Sequence, residues 1–255
     1  MDFLLFREPV NAWSHCSWLL LSVPGTVLLC LKSRGDLGKQ LSMSIFGLSL
    51  AVCYAGSTLF HGVRLPMDQI AVFNLIDYIG IYVLIAGSYT PLAWNMLQGR
   101  WRLWTLSVVW AFAAACAGIQ IACGMLPLSV ATATYMVMGW GAIFCYFEIA
   151  RRHSHRRLRL ILIGGAFYTI GAVINTLEWP DPWPGVFGGH EIFHLFVMAG
   201  SLSHFLFMLT VVAPVTCPEL IVAQGYEGPG EICRDPRSAK WRLGGSLRVE
   251  PRRLT

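Results

Sequence analysis

Four residues carry the chemistry this sequence could do: His61, Asp77, His190 and His194. His190 and His194 are four apart, and on a helix that spacing puts both rings on one face, close enough to share a metal ion. His61 would complete a three-imidazole set that suits zinc and leaves a fourth position for water. Zinc lowers the pKa of such a water to about 7. Asp77 would accept its proton or orient it. Ser57 lies one turn before His61, on the same helical face, where it would hydrogen-bond a ligand, the water or Asp77. The competing readings are structural: a hydrogen-bonded histidine pair, a helix-packing serine, and a carboxylate partnered by a helix N-terminus.

Other candidates are weaker. His190-Glu191-Ile192-Phe193-His194 matches H-E-x-x-H, in which the glutamate acts as a general base. The match is short, and Glu191 reads more simply as an interfacial charge. His204 lies ten residues beyond His194, roughly 15 Å further along a helix, which argues against its being a third ligand. Asp181 sits in a stiff Trp179-Pro180-Asp181-Pro182-Trp183-Pro184 loop that could be a lid but reads first as a rigid connector. His153 and His155 fall in a basic loop and are expected to be solvated.

Seven apolar stretches must position these groups, at about 12–31, 42–61, 71–92, 103–122, 127–149, 160–177 and 189–213. Each matches the roughly 20 residues a helix needs to cross a bilayer. Helices are required because every peptide group must bond internally in lipid. Helices alternate direction, so the starts of odd spans and the ends of even spans share a face. His61 closes the second span, Asp77 lies in the first turns of the third, and His190 and His194 open the seventh. Glu8, Asn11 and His15 lead into the first at the same face. The expected fold is an all-α integral membrane protein, a seven-transmembrane helix bundle. A short segment, 1–11, precedes the membrane domain of 12–213.

Composition agrees. The 255 residues are 55% hydrophobic and only 13% charged, about half the charge usual in soluble domains. Mean hydropathy is +0.57. Cys16, Cys30, Cys53, Cys116, Cys123 and Cys145 lie inside apolar stretches with no CxxC pair, so they read as small packing residues rather than a disulfide or zinc framework. Arg7 is flanked by Asp2 and Glu8, and no A-x-A site follows the first span, which therefore reads as retained rather than cleaved.

Basic residues set the expected orientation. Arg7 and Arg64 are the two at the histidine face. The other face has ten: Lys32, Arg34, Lys39, Arg100, Arg102, Arg151, Arg152, Arg156, Arg157 and Arg159. The positive-inside rule puts the N-terminus and the histidines outside and the C-terminus in the cytoplasm, as in an inner (plasma) membrane. The tail, 214–255, is basic and rich in Gly and Pro, so it reads as disordered and attracted to anionic lipid headgroups. Nothing points to nucleic acid.

Taken together, Glu8-x-x-Asn11-x-x-x-His15, Ser57-x-x-x-His61, Asp77 and His190-x-x-x-His194 resemble the haemolysin III family of the progestin and adipoQ receptor superfamily. The likeness extends to Ala86-Gly87-Ser88-Tyr89-Thr90-Pro91 and covers about residues 8–213. It implies a seven-helix bundle holding one zinc ion on the histidines matching His61, His190 and His194, with the aspartate matching Asp77 near a zinc-bound water. It implies ceramidase-like lipid amide hydrolysis in related receptors, and a site-ordering role for Glu8, Asn11 and His15. The family does not require glutamate at the position of Glu191, which favours Asp77 as the base. The adipoQ receptors keep the zinc face cytoplasmic, whereas the charges here argue the reverse, so receptor-type signalling is not expected to transfer.

Two readings follow. One is a zinc-dependent hydrolase of a membrane lipid amide or ester. The other is a non-enzymatic membrane sensor or lytic protein in which zinc braces the bundle.

Overall fold

The computed structural model of the chain describes residues 6–214. The expected basic tail therefore lies, Pro214 apart, outside the described residues. Regular structure among the described residues is helical, with one antiparallel bridge between Trp183 and Phe187. The helices are α1 (Pro9–Lys32), α2 (Leu37–Gly62), α3 (Met67–Met96), α4 (Gly99–Cys123), α5 (Leu128–Trp140), α6 (Ala142–Ala150), α7 (His155–Leu177) and α8 (Gly189–Phe207). A π turn, Met208–Val212, continues α8. Helices α5 and α6 together form one stretch, which gives seven that are long and apolar enough to cross a membrane.

Most helices outrun the apolar stretches because polar caps and first turns extend them beyond the hydrocarbon. Asp36 caps α2, its carboxylate accepting the Lys39 N–H at 2.9 Å. Pro66 precedes α3, and Asp68 lies in the first turn, where a helix favours a carboxylate. Asp77 is thus about three turns into α3 rather than in its first turns. Pro9 opens α1, a position that tolerates its missing N–H, so Asn11 belongs to the first turn of α1 rather than to a preceding segment.

Helix α2 is the centre of the bundle. Half of its apolar window is buried, against 11% for α7. It crosses α3 in backbone contact: a Cβ on Gly80 would come within 2.9 Å of the Cys53 Cα. Helices α7 and α8 pack as tightly, with the Tyr168 ring against the Cα of Gly200. Phe46, Tyr54, Tyr82 and Phe207 are fully buried, whereas Leu20, Val137 and Phe144 point outward, as lipid-facing side chains must.

The fifth span is broken at Gly141, and the break borders a cavity of about 640 Å³ walled chiefly by α3, α5, α7 and α8. Tyr89 reaches into the break from α3. Its hydroxyl donates to the Met138 carbonyl at 2.7 Å, with the Gly139 carbonyl at 3.2 Å. In lipid no water can replace such a donor. Tyr89→Phe is expected to destabilise the protein by about 1–2 kcal/mol, read as a lower midpoint of thermal unfolding in detergent. An unchanged midpoint would show that the hydroxyl does not hold the break.

Candidate metal centre

His61 is the penultimate residue of α2 and His190 the second residue of α8, so both hang at helix ends on one face. His194 follows one turn deeper in α8. One ring nitrogen from each of the three lies within 4.8 Å of the others. His61 and His194 are almost fully buried, and His190 is half-buried.

Neighbours decide which nitrogen of His61 and of His190 is free. His61 Nδ1 meets the Glu8 carboxylate, which can only accept, so Nδ1 carries the proton. The hydrogen bond to His61 holds the Glu8 carboxyl below its ordinary value, and Glu8 stays ionised. His190 Nδ1 donates to Asn175 Oδ1 at 2.9 Å. Both Nε2 atoms are then bare lone pairs, and they face each other at 3.3 Å. Two such lone pairs repel unless a cation lies between them. The separation also fits: zinc–imidazole bonds of 2.0–2.1 Å in a tetrahedron put neighbouring nitrogens about 3.3–3.4 Å apart. The Asp77 carboxylate lies 4.0 Å from His61 Nε2. Ser57 Oγ is buried, turned toward Asp77, and completes no hydrogen bond.

Glu8, Asn11 and His15 each touch a different part of this group. The chain before α1 runs along the end of α2, with the Glu8 N–H donating to the His61 carbonyl at 2.9 Å and the Arg7 N–H to the Gly62 carbonyl at 3.3 Å. The Arg7 guanidinium caps α2 on the Phe60 carbonyl at 2.6 Å and pairs with Glu8 at 3.2 Å. Asn11 Nδ2 donates to Glu191 Oε1 at 2.7 Å, tying α1 to α8. The His15 ring stacks on His194, with centroids 3.7 Å apart and planes 11° from parallel.

Other candidates fall elsewhere. The Glu191 carboxylate is occupied by the Asn11 amide and by the Gly188 N–H at 2.7 Å, so it caps α8 instead of serving as an H-E-x-x-H base. His204 packs against Tyr168 and Gly164, away from the group. Asp181 lies beside Gly188, at the entry to α8. His155 is not merely solvated: its Nδ1 bonds the Tyr146 hydroxyl at 2.7 Å on the opposite face. The sequence reading missed Asn175. It stands near the end of the sixth span, on the face the parity rule selects, and a lone amide in an apolar run is a signal that could have found it.

Fold and site together define a seven-helix integral membrane protein with a buried three-histidine group that could hold a metal ion. The sequence profile of the Haemolysin-III related family matches residues 3–205, and the chain belongs to that family, within the progestin and adipoQ receptor superfamily. It is 31% identical to the "Hemolysin-3 homolog" of Bacillus subtilis over 209 residues, covering 81% of this chain and 95% of the relative. It is 29% identical to "Hemolysin-3" of Bacillus cereus over 210 residues, covering 82% and 93%. The "ADIPOR-like receptor IZH2" of Saccharomyces cerevisiae is 26% identical over 233 residues, covering 79% and 70%.

Partners that orient imidazoles commonly contribute 10–100-fold to metal affinity. Glu8→Gln and Asn175→Ala are each expected to weaken binding by about that factor, and His61→Ala to abolish stoichiometric metal. Elemental analysis with chelator competition measures both. Wild-type affinity in the first two variants would refute the orienting roles.

Proposed function

We propose that this protein is a zinc-dependent hydrolase of a lipid amide or ester. The observation that carries the reading is the meeting of two imidazole lone pairs beside a half-buried carboxylate at one end of an apolar cavity. His61, His190 and His194 would hold the ion. When bound, zinc supplies Lewis acidity and a water of lowered pKa.

The protein's own residues then have separable tasks. Asp77 Oδ2 takes the proton from the attacking water and returns it to the leaving amine or alcohol. Ser57 Oγ faces that carboxylate and is placed to donate to it. Glu8 and Asn175 hold the Nδ1–H groups of His61 and His190, which turns both Nε2 atoms toward the metal position. The cavity binds the apolar part of the substrate. Asp77 and Leu92 both line it, and fifteen residues of helix separate them, about 22 Å. Ile81, Ile85, Phe193 and Val197 line the space between, a surface suited to an acyl chain and closed to charged substrates.

The distribution of charge supports an orientation in the inner membrane with the site outside. Two basic residues lie at the site's face and ten at the other, and the rule that retains positive loops in the cytoplasm puts the C-terminus there.

Asp77→Asn is expected to lower turnover of a lipid amide by at least about 100-fold, the range of a lost general base, with bound zinc unchanged. Turnover equal to wild type would refute the role of Asp77. Chelator-insensitive hydrolysis, or none on any lipid amide or ester by zinc-loaded protein, would favour the bracing role instead.

A further inference from the structure

We propose that the two loops opposite the metal centre form a docking surface for anionic phospholipid headgroups. Arg100 opens α4, Arg151 and Arg152 follow α6, and Arg156, Arg157 and Arg159 occupy the first turns of α7. All six are exposed. Arg152 donates to Gln98 Oε1, which joins the turn between α3 and α4 to the turn between α6 and α7. The arginines therefore make one continuous patch rather than two.

Among the described residues, carboxylates on this face are few. Among the described residues this face has ten basic side chains and two acidic ones, Asp36 and Glu148. Asp36 caps α2, and Glu148 pairs with Arg151 at 3.0 Å. Arg156, Arg157 and Arg159 make no ion pair with a described carboxylate. Like charges gathered on one face repel, so the face gains from an external anion.

The outward-facing residues beside the patch identify that anion. Trp101, Leu103 and Trp104 follow Arg100; Phe144 and Phe147 precede Arg151; Leu162 and Ile163 follow Arg159. All seven are large, apolar and exposed, between 43% and 67%. Such side chains face acyl chains, and tryptophan marks the boundary between hydrocarbon and headgroups. The guanidinium groups thus lie at headgroup depth, where phosphate oxygens are the nearest acceptors and match their fork geometry. A soluble anion or a nucleic acid would not require this apolar rim. The surface is independent of the hydrolase reading and differs from any attraction exerted by the tail.

The test uses the full chain in detergent micelles carrying equal mole fractions of phosphatidylglycerol or phosphatidylcholine. Thermal unfolding is expected to be a few degrees higher with phosphatidylglycerol. The difference should shrink in about 1 M salt, where the screening length is about 3 Å. In R156Q/R157Q/R159Q it should fall to less than half, with the midpoint in phosphatidylcholine unchanged. If that variant does not fold, R100Q/R151Q tests the same patch from outside α7 and should lose part of the shift. Equal midpoints in the two lipids, or a shift kept in full by the folded variant, would overturn the proposal. An equal shift from inorganic phosphate would overturn the assignment to lipid.

Discussion

Two imidazole lone pairs face each other at 3.3 Å inside a membrane protein, and the rest of the site is arranged to keep them so. Left alone, either ring could turn its N–H toward the other and convert the repulsion into a hydrogen bond. Glu8 prevents this at His61 and Asn175 prevents it at His190, each by accepting the Nδ1 proton. Those acceptors come from outside the two helices that carry the rings: the chain before α1 supplies one and the end of α7 the other. Four segments must therefore be in register before the lone pairs can meet, and a cation between them rewards that register.

The same economy explains the polar groups around the site. An unpaired polar atom in a bilayer is expensive, so the carboxylates at this face are shared. Glu8 serves His61, Arg7 and Asn11. Glu191 serves Asn11 and the start of α8. Asn11 is the link between them. Its amide makes the N-terminal segment and the seventh span one unit, which accounts for a motif whose members do not themselves reach the metal position.

Much of this was legible because transmembrane topology is so constrained. Seven apolar runs and the alternation of direction suffice to bring His61 to His190 and His194, although about 130 residues of sequence separate them. Hydropathy does not register where a helix stops in the headgroups. Capping by Asp36 and the start after Pro66 extend α2 and α3, and move Asp77 from the first turns to the third. Nor does periodicity register the break at Gly141, because the residues on both sides are equally apolar and the deciding contact is Tyr89, some fifty positions earlier. Glu191 misled in the opposite direction. Its H-E-x-x-H setting suggests a base, but the motif does not reveal that a neighbouring N–H and the Asn11 amide occupy both oxygens.

The lone-pair geometry also bears on how catalysis and bracing are told apart. Removing a cation from between two facing Nε2 atoms restores their repulsion whatever the ion does chemically, so loss of stability without metal is common to both readings. What separates them is the fourth side of the group. A bracing zinc is normally closed by four protein ligands. Here the group consists of three imidazoles, and the Asp77 carboxylate stands 4.0 Å from His61 Nε2 on the cavity side. The cavity is lined by His190, His194 and Asp77 at that end and chiefly by apolar and aromatic side chains beyond. A brace has no use for an apolar chamber beside the three histidines, whereas a reaction on a lipid carbonyl must hold the apolar part of its substrate there.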